Sequence, residues 1–293
     1  MLRLDGVTKV YRTGMFGGTA LTAVSGASFD VRPGEVVSLI GESGSGKTTI
    51  GRMILRLTDV TSGTITLEGQ DVATLSQRRL RGYYRSVQGI FQDPFSSYNP
   101  VFKVDRVFEM VRHAYLGRLS GSEWSTKLRT SLEAVGLEPE DVLGKYPHQL
   151  SGGQLQRLMI SRALMLELRY LVADEIISML DASTRIDVLN LLGDLKQRGL
   201  GIVFITHDLS LGNYISDRTV ILRRGHIVEM GTTTKVYSDP RHPYTRMLLT
   251  SVPQLTAKWE TTGSEAIEPS ADDDDGELQA VDDDHFVATK RER

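Results

Sequence analysis

The chain has 293 residues, 40% of them hydrophobic, enough for a packed core, and no cysteine, which excludes disulfides and thiolate metal sites. Its net charge of −3 hides a split: residues 264–293 hold eleven acidic and three basic side chains, net −8, leaving +5 for the rest, too weakly basic for a strong nucleic-acid footprint. No apolar run nears the ~20 residues that span a bilayer, and no charged-then-apolar leader opens the chain, so a membrane link is expected only through a partner.

In chain order, Leu2, Arg3 and Leu4, and later Thr64 to Glu68, read as antiparallel strands added to an α/β core. Residues 14–19 suggest a hairpin insert. Residues 35–40 form a short apolar, β-branched run that predicts a buried strand. Gly41, four residues, then Gly46, Lys47 and Thr48 follow, and a helix-forming stretch runs on to Leu57. Strand, glycine loop and helix are the context of a phosphate loop. The glycines let backbone N–H groups turn inward around an anion, and the helix N-terminus adds a favourable dipole. Gly41, Ser43, Gly44, Ser45, Gly46, Lys47, Thr48 and Thr49 are therefore candidate nucleotide-binding residues. Lys47 is expected to reach the β- and γ-phosphates, and the Thr48 hydroxyl to bind Mg²⁺.

Residues 93–165 are poor in strand signals, and apolar residues recur at helical spacing from Val104 to Leu116 and from Trp124 to Val135. A helical subdomain is expected there. Leu150 to Met165 predicts a further helix capped by Ser151, with Gly152, Gly153 and Gln154 in its first turn and its N-terminus aimed at a phosphate. Tyr170 to Ala173 predicts a second buried strand ending in Asp174 and Glu175. Asp174 is expected to hold Mg²⁺ through water, and Glu175 to polarise the attacking water. A third strand, 201–206, ends at His207, on the ligand side of an open α/β sheet, which makes His207 a candidate γ-phosphate contact.

One nucleotide-binding domain is expected over 1–235, since no internal repeat is visible. A short extension follows at 236–262, where His242 and Pro243 break the chain before a short apolar helix. Residues 263–293 carry Asp272 to Asp275 and Asp282 to Asp284 among few apolar residues. That composition predicts a disordered, solvating tail.

Together these motifs resemble the nucleotide-binding subunits of ABC transporters. The resemblance implies an α/β P-loop NTPase, RecA-like at its core, with antiparallel β additions and an inserted α-helical subdomain. It implies ATP and Mg²⁺ as the bound species. It marks Gln92 as the Q-loop glutamine, acting in catalysis and at the metal, and Leu150 to Gln154 as the signature. Asp181 belongs to the D-loop beside the nucleotide, His207 is the switch histidine, and Tyr11 stacks on adenine. Two such subunits pair head to tail, each ATP lying between Lys47 of one and Ser151 to Gln154 of the other.

A narrower resemblance is carried by residues 91–100, 146–149 and 238–246, which look like the importers of the oligopeptide/dipeptide/nickel group, specifically their second ATP-binding subunit. It covers roughly 1–255. It implies an ATPase at the cytoplasmic face of the cell membrane powering uptake of oligopeptides or dipeptides, with oligosaccharide import as the alternative. The implied partners are two permease subunits, a second ATP-binding subunit (a distinct homologue or a second copy) and, indirectly, an extracytoplasmic binding protein. Where that group reads Glu-Pro-Thr-Ser-Ala-Leu-Asp, this chain reads Glu175, Ile176, Ile177, Ser178, Met179, Leu180, Asp181, which predicts a slightly altered D-loop path. Some members carry a cysteine cluster for an iron–sulfur centre; without cysteine none is expected here. A non-transport ABC ATPase acting on nucleic acid or ribosomes fits poorly. The 103 residues from Thr48 to Ser151 leave no room for the coiled coil of DNA-repair types, and one domain is half of what translation-factor types carry.

Overall fold

The computed structural model describes residues 1–12, 19–250 and 276–289. The hairpin insert expected at 14–19 and the run Asp272 to Asp275 fall almost wholly outside these. The chain divides into two compact units, Met1–Thr74 with Val203–Arg293, and Leu75–Ile202.

The first unit opens with β1 (Leu2–Arg12), β2 (Ala20–Val31), β3 (Val36–Ile40), α1 (Lys47–Ile54), β4 (Ser62–Leu67) and β5 (Gln70–Asp71). The expected antiparallel additions are there. β1 pairs with β4 in the register Leu2↔Leu67, Arg3↔Thr66, Leu4↔Ile65, and the sheet order is β2-β1-β4-β5.

The second unit holds α2 (Gln77–Ser86), β6 (Val87–Ile90), α3 (Asp105–Val111), α4 (Gly121–Glu133), α5 (Pro139–Val142), α6 (Gly152–Leu164), β7 (Tyr170–Asp174) and α7 (Ala182–Gln197). Between β6 and β7 the described residues contain no strand, as the helical spacing predicted. β6 and β7 run parallel. Every residue of β7 is buried, the pattern of a strand covered on both faces. α4 starts on a capping box in which Ser120 accepts from Glu123 N and the Glu123 carboxylate accepts from Ser120 N.

The chain returns to the first unit through β8 (Gly201–Thr206), then α8 (Leu209–Ile215), β9 (Arg218–Arg223), β10 (His226–Thr232), α9 (Thr233–Ser238), α10 (Pro243–Thr250), β11 (Glu277–Asp282) and β12 (His285–Thr289). Here the strand order is β11-β12-β10-β9-β3-β8, parallel at β3–β9 and antiparallel from β9 outward. A core of Ile40, Leu209, Ile221, Val228, Val236, Tyr244 and Ala288 lies under this sheet. Ile40 is the residue before the phosphate loop, so the loop rests on that core.

Over residues 277–289, β11 and β12 depart from the disordered tail expected at 263–293; residues 263–275 and 290–293 lie outside the described residues. Residues 277–289 form a hairpin whose second strand pairs with β10, Met230 opposite Phe286. The carboxylates do not repel it from the fold because a cation receives them: Lys235 of α9 donates to Asp282 (2.7 Å) and to Asp284. Val287 and Ala288 are buried. His285 Nε2 donates to the fully buried Glu229 of β10 at 2.7 Å. Composition summed over the tail misses a cation 47 residues upstream.

Candidate functional site

In the first unit, β3 ends at Ile40 and α1 begins at Lys47, so 41–46 form a loop between a buried strand and a helix N-terminus. Two glycines are dictated by space. A Cβ on Gly41 would sit 2.1 Å from the Leu222 carbonyl oxygen; on Gly46, at φ 104°, it would sit 2.5 Å from that of Ala23. Gly46 is also the N-cap of α1 and offers no capping side chain, the arrangement that suits an anion at a helix start. Lys47 is buried, and its Nζ donates to the carbonyls of Gly41 (2.7 Å) and Glu42 (2.8 Å) and to Ser45 Oγ (3.4 Å). Its ammonium is therefore held inside the loop's curve. Gly225 N, from the β9–β10 turn, donates to the Ser45 carbonyl at 3.0 Å and ties the loop to the end of the sheet's inner strands. Ser43 and Gly44 are exposed at the loop's rim, and Thr48 and Thr49 are half-buried in the first turn of α1.

Two further candidates lie in this unit. Tyr11 is half-buried on β1, with Lys9 Nζ 5.0 Å above its ring. His207 is exposed at the end of β8, directly before Asp208, which caps α8 through Ser210 N (2.9 Å) and Leu211 N (3.3 Å).

In the second unit, Asp174 is the buried last residue of β7 and Glu175 follows at φ 50°, a left-handed conformation uncommon for a residue with a Cβ. The chain then turns tightly. The Glu175 carbonyl accepts from Ser178 N (3.1 Å) and Ser178 Oγ (2.9 Å). Ile176 and Ile177 are buried, so two of the three departures from the family pattern serve the core of this unit, while the third, Met179, is exposed. Arg185 reaches back to the carbonyls of Leu180 (2.8 Å) and Ser178 (3.2 Å) and closes the turn.

Asp181, assigned to the nucleotide by resemblance, is engaged locally. Its carboxylate caps α7, accepting from Thr184 N (3.0 Å), Ser183 Oγ (2.6 Å) and Thr184 Oγ1 (2.7 Å). These bonds hold it well below the usual carboxylate range, that from Ser183 contributing most.

The expected helix over Leu150 to Met165 is α6, and Ser151 is its cap. Ser151 Oγ accepts from Gln154 N (3.2 Å) while Gln154 Oε1 accepts from Ser151 N (2.9 Å). Gly152 and Gly153 sit in the first turn. A Cβ on Gly153 would lie 2.5 Å from Thr184 Cγ2, and one on Gly152 would lie 3.6 Å from Leu180 Cδ2. The start of α6 thus meets the start of α7, and glycine at 153 is required by that approach.

Gln92 is exposed just after β6. The segment behind it carries Tyr98, whose buried hydroxyl donates to the Leu155 carbonyl of α6 at 3.4 Å. Burial pushes that hydroxyl up from its ordinary value, and burial pulls the neighbouring Arg162 guanidinium down. Arg162 donates to the Gly89 carbonyl of β6 at 3.4 Å. In the sequence, Tyr98 lies inside the family-like stretch 91–100, while nothing there points to Thr184.

Among the described residues no group of three or more His, Cys, Asp or Glu side chains could hold a metal ion. Mg²⁺ in nucleotide sites takes one or two protein oxygens and fills its octahedron with phosphate and water. The donors proposed for it, the Thr48 hydroxyl, the Gln92 amide oxygen and the Asp174 carboxylate, are the hard oxygens that such an ion needs. No helix among the described residues is long and apolar enough to cross a membrane.

Comparison with known proteins bears on family and fold. The family described as ABC transporter matches residues 24–178, and the oligopeptide/dipeptide transporter C-terminal region matches 228–276. A Brucella ovis ATP-binding protein assigned to peptide import is 46% identical over 254 residues, covering 86% of this chain and 78% of its own. The oligopeptide transport ATP-binding protein OppF of Streptococcus mutans is 40% identical over 274 residues, 92% of this chain and 89% of its own. Among solved structures, the dimeric post-hydrolysis state of the ATP-binding cassette MJ0796 with ADP and Pi superposes with a TM-score of 0.70 at 28% identity, over 80% of this chain and 99% of that one.

Proposed function

Because this chain belongs to the ABC transporter family, as an ATPase cassette, we propose that it is the ATP-hydrolysing subunit of an importer for oligopeptides or dipeptides. The observation that carries the nucleotide reading is the loop at 41–48, with glycines enforced at 41 and 46 and Lys47 buried within its curve. The likeness of 228–276 to the oligopeptide/dipeptide C-terminal region supports the cargo class.

In this reading Lys47 binds the β- and γ-phosphates, Ser43 to Thr49 supply the cradle, and Tyr11 stacks on the base. Thr48, Gln92 and Asp174 would hold Mg²⁺, which would screen phosphate charge during transfer. Glu175 accepts a proton from the attacking water, and His207 and Gln92 contact the γ-phosphate and its water. Ser151, Gly152, Gly153 and Gln154 present the α6 N-terminus to the ATP of a second cassette. Asp181 acts at the same seam by fixing α7, on which Gly153 packs. Two permease subunits hold the pair at the cytoplasmic face of the membrane, and an extracytoplasmic binding protein delivers cargo.

The test is reconstitution of the cassette with its permease and second cassette in proteoliposomes, with binding protein inside or out as orientation requires. ATP-dependent uptake of labelled oligopeptide supports the reading. Uptake of oligosaccharide with none of peptide would replace the cargo.

A further inference from the structure

α10, in the region that resembles the oligopeptide/dipeptide C-terminal family, reaches the phosphate loop. Tyr244 is fully buried in the core that includes Ile40. Its hydroxyl accepts the Glu42 backbone N–H at 3.0 Å. Glu42 N–H and the Gly41 carbonyl belong to one peptide, and that carbonyl accepts from Lys47 Nζ at 2.7 Å. A planar peptide held at both ends cannot rotate without losing a bond. The ring is fixed in turn, since the buried Arg223 guanidinium lies 5.0 Å from its centroid.

The backbone that carries Tyr244 is anchored too. Tyr244 N donates to His242 Nδ1 (3.2 Å). The amides of Arg241 and His242 both donate to Glu229, at 2.8 and 2.9 Å. Glu229 also receives His285 from β12 at 2.7 Å. A run of bonds therefore leads from the C-terminal hairpin through Glu229 to α10 and into the loop.

We propose that Tyr244 is a positioning residue of the nucleotide site: its hydroxyl sets the plane of the Gly41–Glu42 peptide, and the Glu229–His285 pair holds Tyr244 in place. This rests on the reading of 41–48 as the phosphate cradle. The Gly41 carbonyl is where Lys47 is docked, so its orientation decides where the ammonium points. A side chain from outside the strand–loop–helix unit thereby tunes the loop, and the C-terminal region becomes part of the nucleotide site.

Tyr244→Phe removes the oxygen and keeps the ring under Arg223. MgADP affinity of the full-length chain, by calorimetry, should weaken about three- to tenfold, the scale of one lost hydrogen bond. The melting temperature without nucleotide should stay within a few degrees of wild type. His285→Ala should weaken MgADP in the same direction by a smaller factor. Lys47→Ala is the control. If Lys47→Ala loses affinity while Tyr244→Phe stays within twofold of wild type, the positioning role is overturned alone. If Lys47→Ala also binds normally, the cradle reading falls and takes the proposal with it. Should Tyr244→Phe not fold, the wild-type Glu42 amide decides: slow hydrogen exchange supports the bond to Tyr244, and exchange at the rate of an open loop overturns it.

Discussion

Lys47 and Tyr244 hold the two ends of one peptide, Lys47 through the Gly41 carbonyl and Tyr244 through the Glu42 N–H. The two side chains come from α1 and α10, helices separated by most of the chain. A phosphate loop that looks self-contained in sequence is in the fold supported by its own lysine, by Gly225 of the β9–β10 turn and by the C-terminal region.

Glu175→Gln should retain nucleotide binding and lose steady-state turnover by about 10²–10⁴-fold, the usual cost of removing a group that takes a proton from water. The substitution keeps size, so the left-handed turn at 175 should survive. Filter binding of ATP alongside phosphate release checks both halves. Near wild-type release would remove Glu175 from the role given to it.

Gly153→Ala should lower stability by about 1–3 kcal/mol, the cost of forcing a methyl into a filled space, because the new Cβ meets Thr184 Cγ2 at 2.5 Å. Thr184 cannot swing aside cheaply, since its Oγ1 is bonded to Asp181 at 2.7 Å. Thr184→Ser keeps that oxygen and deletes the methyl. Denaturant melts of the two single variants and the double variant should show the double recovering most of the loss. Additive effects would mean that 153 is glycine for another reason.

Truncation after residue 275 should destabilise the protein by about 2–4 kcal/mol, from the burial of Val287 and Ala288 and the bond from His285 to Glu229. At about 2–4 °C per kcal/mol for a domain of this size, thermal unfolding should move down by several degrees. An unchanged melting temperature would return the tail to a solvated role.

The Lys235 latch should depend on pH. The hydrogen bonds that Lys235 donates to Asp282 and Asp284 hold the ammonium above its ordinary value, and the one to Asp282 holds that carboxylate below its own. The depressed carboxylate contributes stability above its unfolded pKa of about 3.9, and this is lost as pH falls through the folded value. The raised ammonium contributes below its unfolded pKa of about 10.4, and this is lost as pH rises through the folded value. The difference in melting temperature between wild type and Lys235→Met should therefore be greatest from about pH 5 to 9. It should fade toward pH 2 and shrink in high salt, since the groups are exposed. A difference that ignores pH and salt would show that Lys235 acts through packing alone.

The strands at 36–40, 170–174 and 201–206 were legible because each is a continuous buried run that leads into Gly41, Asp174 and Glu175, or His207. The start of α6 was legible because Ser151 and Gln154 form its capping box within four residues. Two contacts stayed hidden because their partners are distant in sequence. Tyr244 meets Glu42 from 202 positions away, and Asp282 meets Lys235 from 47. Gly153 read as a glycine for a phosphate, and its packing on Thr184 shows only once α6 and α7 are side by side. Asp181 read as a ligand contact, while the Ser183 and Thr184 that follow it are the donors of a helix cap.

In the proposed function the ATP site is completed by a second cassette, with Lys47 on one side and Ser151 to Gln154 on the other. ATP hydrolysis as a function of protein concentration and assembly tests it most directly. The chain alone, diluted until monomeric, should hydrolyse slowly; assembly with the permease and second cassette should raise the rate, and Lys47→Ala in this chain should lower the assembled rate at least tenfold, the scale expected when a phosphate-binding cation is removed. Full activity at dilutions where the chain is monomeric would contradict the shared site.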